Sequence, residues 1–143
     1  MTETANRSVM HASCVAVKGR GLLILGPSGA GKSSLALRLM ALGADLVADD
    51  RTEIYREGVG VVARCPPALR GLIEARGVGI LRADCVEQSE IALVADLGQR
   101  EPDRIPLHRR ITLLGYDLDL VLQPQNDHFP EALMHYLRYG RQS

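Results

Sequence analysis

The chain of 143 residues has no tryptophan, one phenylalanine and four tyrosines, so Leu, Val, Ile and Ala must fill its core. Lysine is nearly absent too: only Lys18 and Lys32 occur, and every other basic side chain is an arginine or a histidine. Positive charge is not in excess. The formal net charge is zero and the pI is about 6.9, which gives no sign of the basic face that nucleic-acid binders carry. Cysteine is scarce and scattered: Cys14, Cys65 and Cys85 form no C-x-x-C pair, an odd set that reads as reduced thiols. No apolar run approaches the ~18 residues of a membrane helix, and the N-terminal MTETANRS lacks the apolar stretch of a signal peptide. The expectation is one soluble, cytoplasmic domain spanning residues 1–143, with ordinary globular proportions of 46% hydrophobic and 24% charged residues.

Patterning points to an α/β fold. Ser8 to Val17 is rich in small and β-type residues and leads into the turn Lys18-Gly19-Arg20-Gly21. The apolar run Gly21–Leu25 then reads as a strand buried on both faces. A hairpin is expected here, with Val17 opposite about Leu22, which would set His11 opposite Ser28. Ser33 to Leu42 reads as a helix stopped by Gly43, and Asp45–Ala48 as a strand ending in Asp49-Asp50-Arg51. A right-handed strand–helix–strand unit makes the two strands parallel, so both end at the edge where open α/β sheets bind ligands. Further on, Glu53–Arg56 and Val59–Ala63 suggest a hairpin, and Pro66-Pro67 opens a short helix over Ala68–Ala75. Strands are expected at Ile80–Leu81 and Glu90–Ala95, followed by a polar stretch from Gly98 to Arg110. A hairpin over Ile111–Leu122 and a helix over Pro130–Tyr139 complete the chain.

The strongest chemical signal is Gly26-Pro27-Ser28-Gly29-Ala30-Gly31-Lys32-Ser33, a complete G-x-x-x-x-G-K-[ST] phosphate loop followed by Ser34. Its glycines let successive amides turn inward toward phosphate oxygens, and the helix that follows adds its positive end. Lys32 is expected at the β- and γ-phosphates of a nucleoside triphosphate, and the Ser33 hydroxyl on magnesium. Asp49 and Asp50 are adjacent on a strand end, so their side chains point to opposite faces. One would hold magnesium or its waters, and the other would serve as a base toward an incoming hydroxyl. Read alone, His11 is equally a hydrogen-bonded hairpin histidine, and Glu74 and Arg76 are a charged helix end or a metal ligand and phosphate clamp. His108, His128 and His135 read as surface or packing residues.

Three blocks together resemble the catalytic domain of HPr kinase/phosphorylase: Ser8-Val-Met-His11; Gly26–Ser33 with Leu46-Val-Ala-Asp-Asp-Arg51; and Pro66-Pro67 running into Glu74-Ala-Arg-Gly-Val-Gly-Ile80. They cover about residues 8–83. The resemblance implies a P-loop NTPase-like mixed sheet with flanking helices, its N-terminal hairpin leading into the phosphate loop. It implies ATP and Mg2+ as cosubstrate and cofactor, and a serine of HPr, the phosphocarrier protein of a bacterial phosphotransferase system, as acceptor. It also implies a homohexamer; from the charge balance and the lack of a long apolar run, no nucleic-acid or membrane partner is expected. Carried across by position, His11 and Lys32 match catalytic positions, and Asp50 matches the residue that takes the serine proton. Ser33 and Glu74 match magnesium ligands, and Arg76 falls in a stretch important for catalysis.

Two departures shape the expectation. The chain resembles the short α-proteobacterial form, without the N-terminal domain of long members. The late catalytic arginine of the family has no match within Val121–Phe129, so kinase activity is expected with phosphorylase activity weak or missing. The alternatives are a small-molecule P-loop kinase, with Gly98–Arg110 as an arginine-bearing lid, and a nucleotide-sensing module without turnover.

Overall fold

The computed structural model describes residues 6–143. The signal-peptide reading of the N-terminus falls largely on residues outside that range. Among the described residues no helix is long and apolar enough to cross a membrane.

In chain order the strands are β1 (Arg7–Met10), β2 (Ser13–Val17) and β3 (Arg20–Leu25), then helix α1 (Lys32–Ala41) and β4 (Asp45–Ala48). Strands β5 (Thr52–Glu57), β6 (Gly60–Arg64), β7 (Leu72–Ala75) and β8 (Gly79–Arg82) follow. The long strand β9 (Gln88–Arg100), β10 (Arg109–Leu113), β11 (Tyr116–Gln123) and helix α2 (Phe129–Tyr139) close the fold. Nine strands form one mixed sheet in the order β1-β5-β6-β9-β3-β2-β4, with β11 also on β9 and β10 on β11; β7 and β8 make a separate pair.

Strand alternation divides the core between the two faces of this sheet. Leu22 and Ile24 of β3, with Val15 and Val17 of β2, pack under α1 and α2 against Leu35, Leu39, Leu133 and Leu137. Leu23, Cys14 and Ala16 point the other way, into a second cluster with Val47, Ile54, Val61 and Val94. Both faces of β3 are therefore covered, which is why its sequence is apolar without alternation. In β9 the pairing jumps from Gly21↔Ile91 to Leu22↔Leu93. Ala92 is the extra residue of this bulge, and it sends Ile91 and Leu93 to opposite clusters although they are two apart. Each fully buried leucine or isoleucine in these layers contributes roughly 1.5–3 kcal/mol.

Several expectations are corrected. The β2–β3 hairpin is tighter than expected: Val17 pairs with Arg20 across Lys18-Gly19, both at positive φ (51° and 75°), the geometry of a two-residue primed turn. Strands β3 and β4 do run parallel, as expected, with β2 lying antiparallel between them. No helix runs from Ala68 to Ala75. One 3-10 turn at Pro67–Leu69 is followed by Gly71 at φ 74° and then by β7, in which Ile73 and Ala75 are buried while Glu74 is exposed. That two-residue period, and pairing with β8, override the Pro-Pro helix signal. The polar stretch is not a free lid either. Strand β9 continues to Arg100, and Arg109 donates two hydrogen bonds to Glu101, at 2.9 and 3.0 Å. This fork holds the Glu101 carboxyl below its usual range.

Candidate active site

The phosphate loop is shaped by what its glycines avoid. At Gly26 φ is 151°, and an added Cβ would lie 3.1 Å from the Ala30 Cβ and 3.2 Å from the Leu97 Cβ, too close for most side chains. Gly31 caps α1 at φ 99°, with no side-chain cap and no acidic residue in the first turn. The first-turn amides thus have no side-chain partner among the described residues, and the positive end of the helix remains available to an anion. Lys32 is buried, and its ammonium donates to the carbonyls of Gly26 (2.7 Å) and Pro27 (3.2 Å). An ammonium has three donors, so one is left for a ligand.

Opposite the loop, a bent ribbon supplies the carboxylates. Met10 pairs with Thr52 and Cys14 with Ala48, so one register runs from β1–β5 into β2–β4. Beyond Cys14 the β2–β4 register shifts by one, to Val15↔Leu46, and the ladder is interrupted at residues 11–13 and 49–51. Here the Arg51 amide donates to the Asp49 carbonyl at 2.7 Å, closing a three-residue turn with Asp50 at φ 67°. Positive φ at a non-glycine residue costs energy and is held by its surroundings, a pattern that clusters at functional sites. Thr52, fully buried, anchors the corner through its hydroxyl to the Ala12 carbonyl at 2.8 Å.

The turn separates the two aspartates. Asp49 is buried: its Oδ1 accepts from the hydroxyls of Ser13 and Ser33, both at 2.7 Å, and its Oδ2 accepts from the Glu74 amide at 3.0 Å. Asp50 is exposed, and its Oδ1 lies 2.6 Å from His11 Nε2. An ionised carboxylate only accepts hydrogen bonds, so with Asp50 charged the Nε2 is the donor, and Oδ2 has no partner among the described residues.

A cleft of about 300 Å3 joins these parts. Ser28, Gly29, Gly31, Lys32, Ser33 and Ser34 form the loop wall, while His11, Asp50, Glu74 and Arg76 come from the ribbon and the β7–β8 hairpin. Gly26, Pro27 and Ala30 frame the loop without lining the cleft, and Asp49 stands behind Ser33. His108, His128 and His135 are exposed elsewhere, and no residue of the 98–110 stretch reaches the cleft. A second cavity, about 540 Å3, opens on the far side of His11 and Asp50 beside Met10, Arg51 and Pro66. Burial pushes the Cys14 thiol up to about 12, so it is a core residue and no nucleophile.

Two contributors were not legible in the sequence. Ser13, fully buried, is held to Asp49, and its only signal was a hydroxyl at the head of an apolar strand. Arg51 borders the second cavity, and its guanidinium makes no hydrogen bond or ion pair among the described residues.

The donor set suits a hard divalent cation. Among the described residues no three His, Cys, Asp or Glu side chains converge as a metal cage. The cleft instead offers the Ser33 hydroxyl, oriented from behind by Asp49, and the exposed Glu74 carboxylate, which has no partner among the described residues. Few protein oxygens beside a phosphate-binding loop fit magnesium, which keeps waters and takes phosphate oxygens as ligands.

Known proteins are similar to this chain in sequence and in fold. The family model described as HPr Serine kinase C-terminal domain matches residues 2–109. A protein of Aromatoleum aromaticum named HPr kinase/phosphorylase is 40% identical over 120 residues, covering 75% of this chain and 38% of that relative. One of the same name from Cupriavidus necator is 37% identical over 130 residues, covering 82% of this chain and 40% of the relative. The chain therefore spans less than half the length of these curated relatives. The solved structure of the Hpr(Ser) kinase/phosphatase from Coxiella burnetii superimposes with a TM-score of 0.75 at 27% identity, covering 92% of this chain and 88% of that one. With its phosphate loop, bent ribbon and β7–β8 hairpin within the matched span, the chain belongs to the HPr Serine kinase C-terminal domain family.

Proposed function

We propose that this domain transfers the γ-phosphate of ATP to a serine hydroxyl of an HPr-type phosphocarrier protein in the cytoplasm. The observation that carries the reading is the cleft whose one wall is a phosphate loop and whose other wall is the His11–Asp50 pair. The γ-phosphate of a triphosphate bound on the loop points toward Asp50, and the second cavity beyond that pair gives a protein acceptor a separate way in.

In this reading the free oxygen of Asp50 accepts the serine proton as the serine oxygen bonds to the γ-phosphorus. The bond from that phosphorus to the bridging oxygen breaks, and ADP leaves. His11 holds the other oxygen of Asp50 and so orients the base. The remaining N–H of Lys32, the loop amides and Arg76 spread the charge of the transferred group. Ser33 and Glu74 would hold magnesium, with Asp49 fixing the Ser33 hydroxyl; the ion would supply positive charge to offset that of the phosphates.

The loop that follows β11 carries no arginine, and among the described residues Lys32 and Arg76 are the only cationic side chains, apart from His11, that line the cleft. We therefore propose that phosphorolysis of phosphoserine-HPr by inorganic phosphate is weak or missing, although the relatives are named kinase/phosphorylase. Pyrophosphate released from phosphoserine-HPr and phosphate at kinase-like rates would refute this. The homohexamer implied by family resemblance is a further part of the proposal, tested by sedimentation.

The deciding experiment is transfer of labelled γ-phosphate from Mg-ATP to purified HPr from the same organism, with Asp50→Asn as control. Phosphoserine formed only by the unaltered protein is the expected result. Tight ATP binding with no labelled HPr would return the weight to a small-molecule acceptor or a sensing role.

A further inference from the structure

The cleft along the phosphate loop has two continuations. One passes the His11–Asp50 pair into the second cavity. The other leaves from Gly31 and Ser34, over the first turns of α1, into a groove of about 200 Å3. The groove runs between α1, the end of β9 and the β11–α2 loop, bordered by Ser34, Arg38, Leu97, Asn126, Asp127 and Phe129.

We propose that this groove holds the nucleoside of the triphosphate, with the Phe129 ring and Leu97 forming the platform for the base and Asp127 accepting from ribose hydroxyls. The inference rests on the kinase reading, because that reading sets the direction of the phosphate chain. Lys32, Ser33 and Asp50 mark the γ end, and a chain laid along the loop away from them leaves past Ser34.

The groove's chemistry suits that occupant. Leu97 is buried and Phe129 half-buried, so the groove has an apolar floor. Phe129 is the chain's one phenylalanine, and no tyrosine lines either the cleft or this groove. It is thus the one Phe or Tyr ring within reach of a base on this side. The rim is polar and unengaged: Arg38 and Asp127 make no side-chain bond among the described residues. Asn126 uses only its Oδ1, accepting from the His128 amide at 3.1 Å, which leaves its amide donors facing outward. An apolar floor with a few polar groups at its edge is how cofactor sites orient a ring system. Cleft and groove together reach the ~300–1,000 Å3 of cavities that enclose such ligands.

Calorimetric titration of the full chain with Mg-ATP and, separately, with magnesium tripolyphosphate tests this, since the second probe has phosphates and no nucleoside. Phe129→Leu keeps most of the packing volume and removes the ring. It should weaken ATP about tenfold, in line with base–aromatic stacking, and leave tripolyphosphate unchanged. Asp127→Ala, at an exposed position that cannot upset the core, should weaken ATP severalfold with the same selectivity. ATP affinity unaltered in both variants would overturn the nucleoside site while leaving the kinase reading intact. Equal loss of both probes in the variants would also overturn it, because the groove would then act on the phosphates. Failure of the unaltered chain to bind either probe would overturn the phosphate-loop reading and this site with it.

Discussion

Asp49 and Asp50 are neighbours with the same side chain, and the structure predicts opposite consequences for the same substitution. At Asp49, three donors converge on a buried carboxylate: the Ser13 and Ser33 hydroxyls and the Glu74 amide. Asparagine offers one oxygen in place of two. If that oxygen serves the two hydroxyls, its NH2 faces the Glu74 amide, donor against donor. Losing one charge-assisted bond and leaving a buried donor unpaired costs about 3 kcal/mol, or on the order of 10 °C in Tm for a chain of this length. At Asp50 the partner is His11, and both side chains are more than half exposed, at 70% and 52%. An exposed pair contributes ~0–1 kcal/mol, and asparagine tolerates the positive φ of 67°. Asp50→Asn should therefore melt within about 2 °C of the unaltered protein and still bind ATP, yet transfer phosphate roughly 10²–10⁴-fold more slowly. Thermal denaturation by circular dichroism and label transfer to HPr read the two axes separately. An Asp49→Asn protein as stable as the parent, or an Asp50→Asn protein with near-normal turnover, would refute the division of labour.

Other positions have equally specific expectations. Lys32→Ala removes a group used in both ground and transition states, so calorimetry should find weaker ATP binding and kinetics a lower kcat. Glu74→Gln keeps the shape and its backbone bond to Asp49, so magnesium titration should find a higher metal concentration at half-maximal rate, with the fold unchanged. The buried Cys14 thiol ionises only near pH 12 in the folded chain, against an ordinary value of 9.0. Its contribution to stability is full below pH 9 and falls by about 1.4 kcal/mol per pH unit between the two values, where only the unfolded chain loses the proton. Urea denaturation at pH 8 and pH 10 should detect that loss, and a thiol reagent at pH 8 should modify exposed Cys85 well before Cys14 or Cys65.

What could be read from the sequence is what neighbouring residues decide among themselves. The phosphate loop is such a case: its glycines, its lysine and its uncapped helix start lie within one contiguous segment, and their conformations need no distant partner. The same holds for the apolar β3, the helix after the loop, and the β10–β11 hairpin around Gly115. Four residues such as Leu72-Ile-Glu-Ala75 satisfy either period. Only their pairing with Gly79–Arg82 made them a strand, which sets Glu74 and Arg76 on the cleft. The bond between His11 and Asp50 joins positions 39 apart in the chain. It depends on one register held across a bent ribbon and on a turn that buries one aspartate and presents the next. No local propensity contains that information, because it resides in hydrogen bonds between strands brought side by side by the curled sheet.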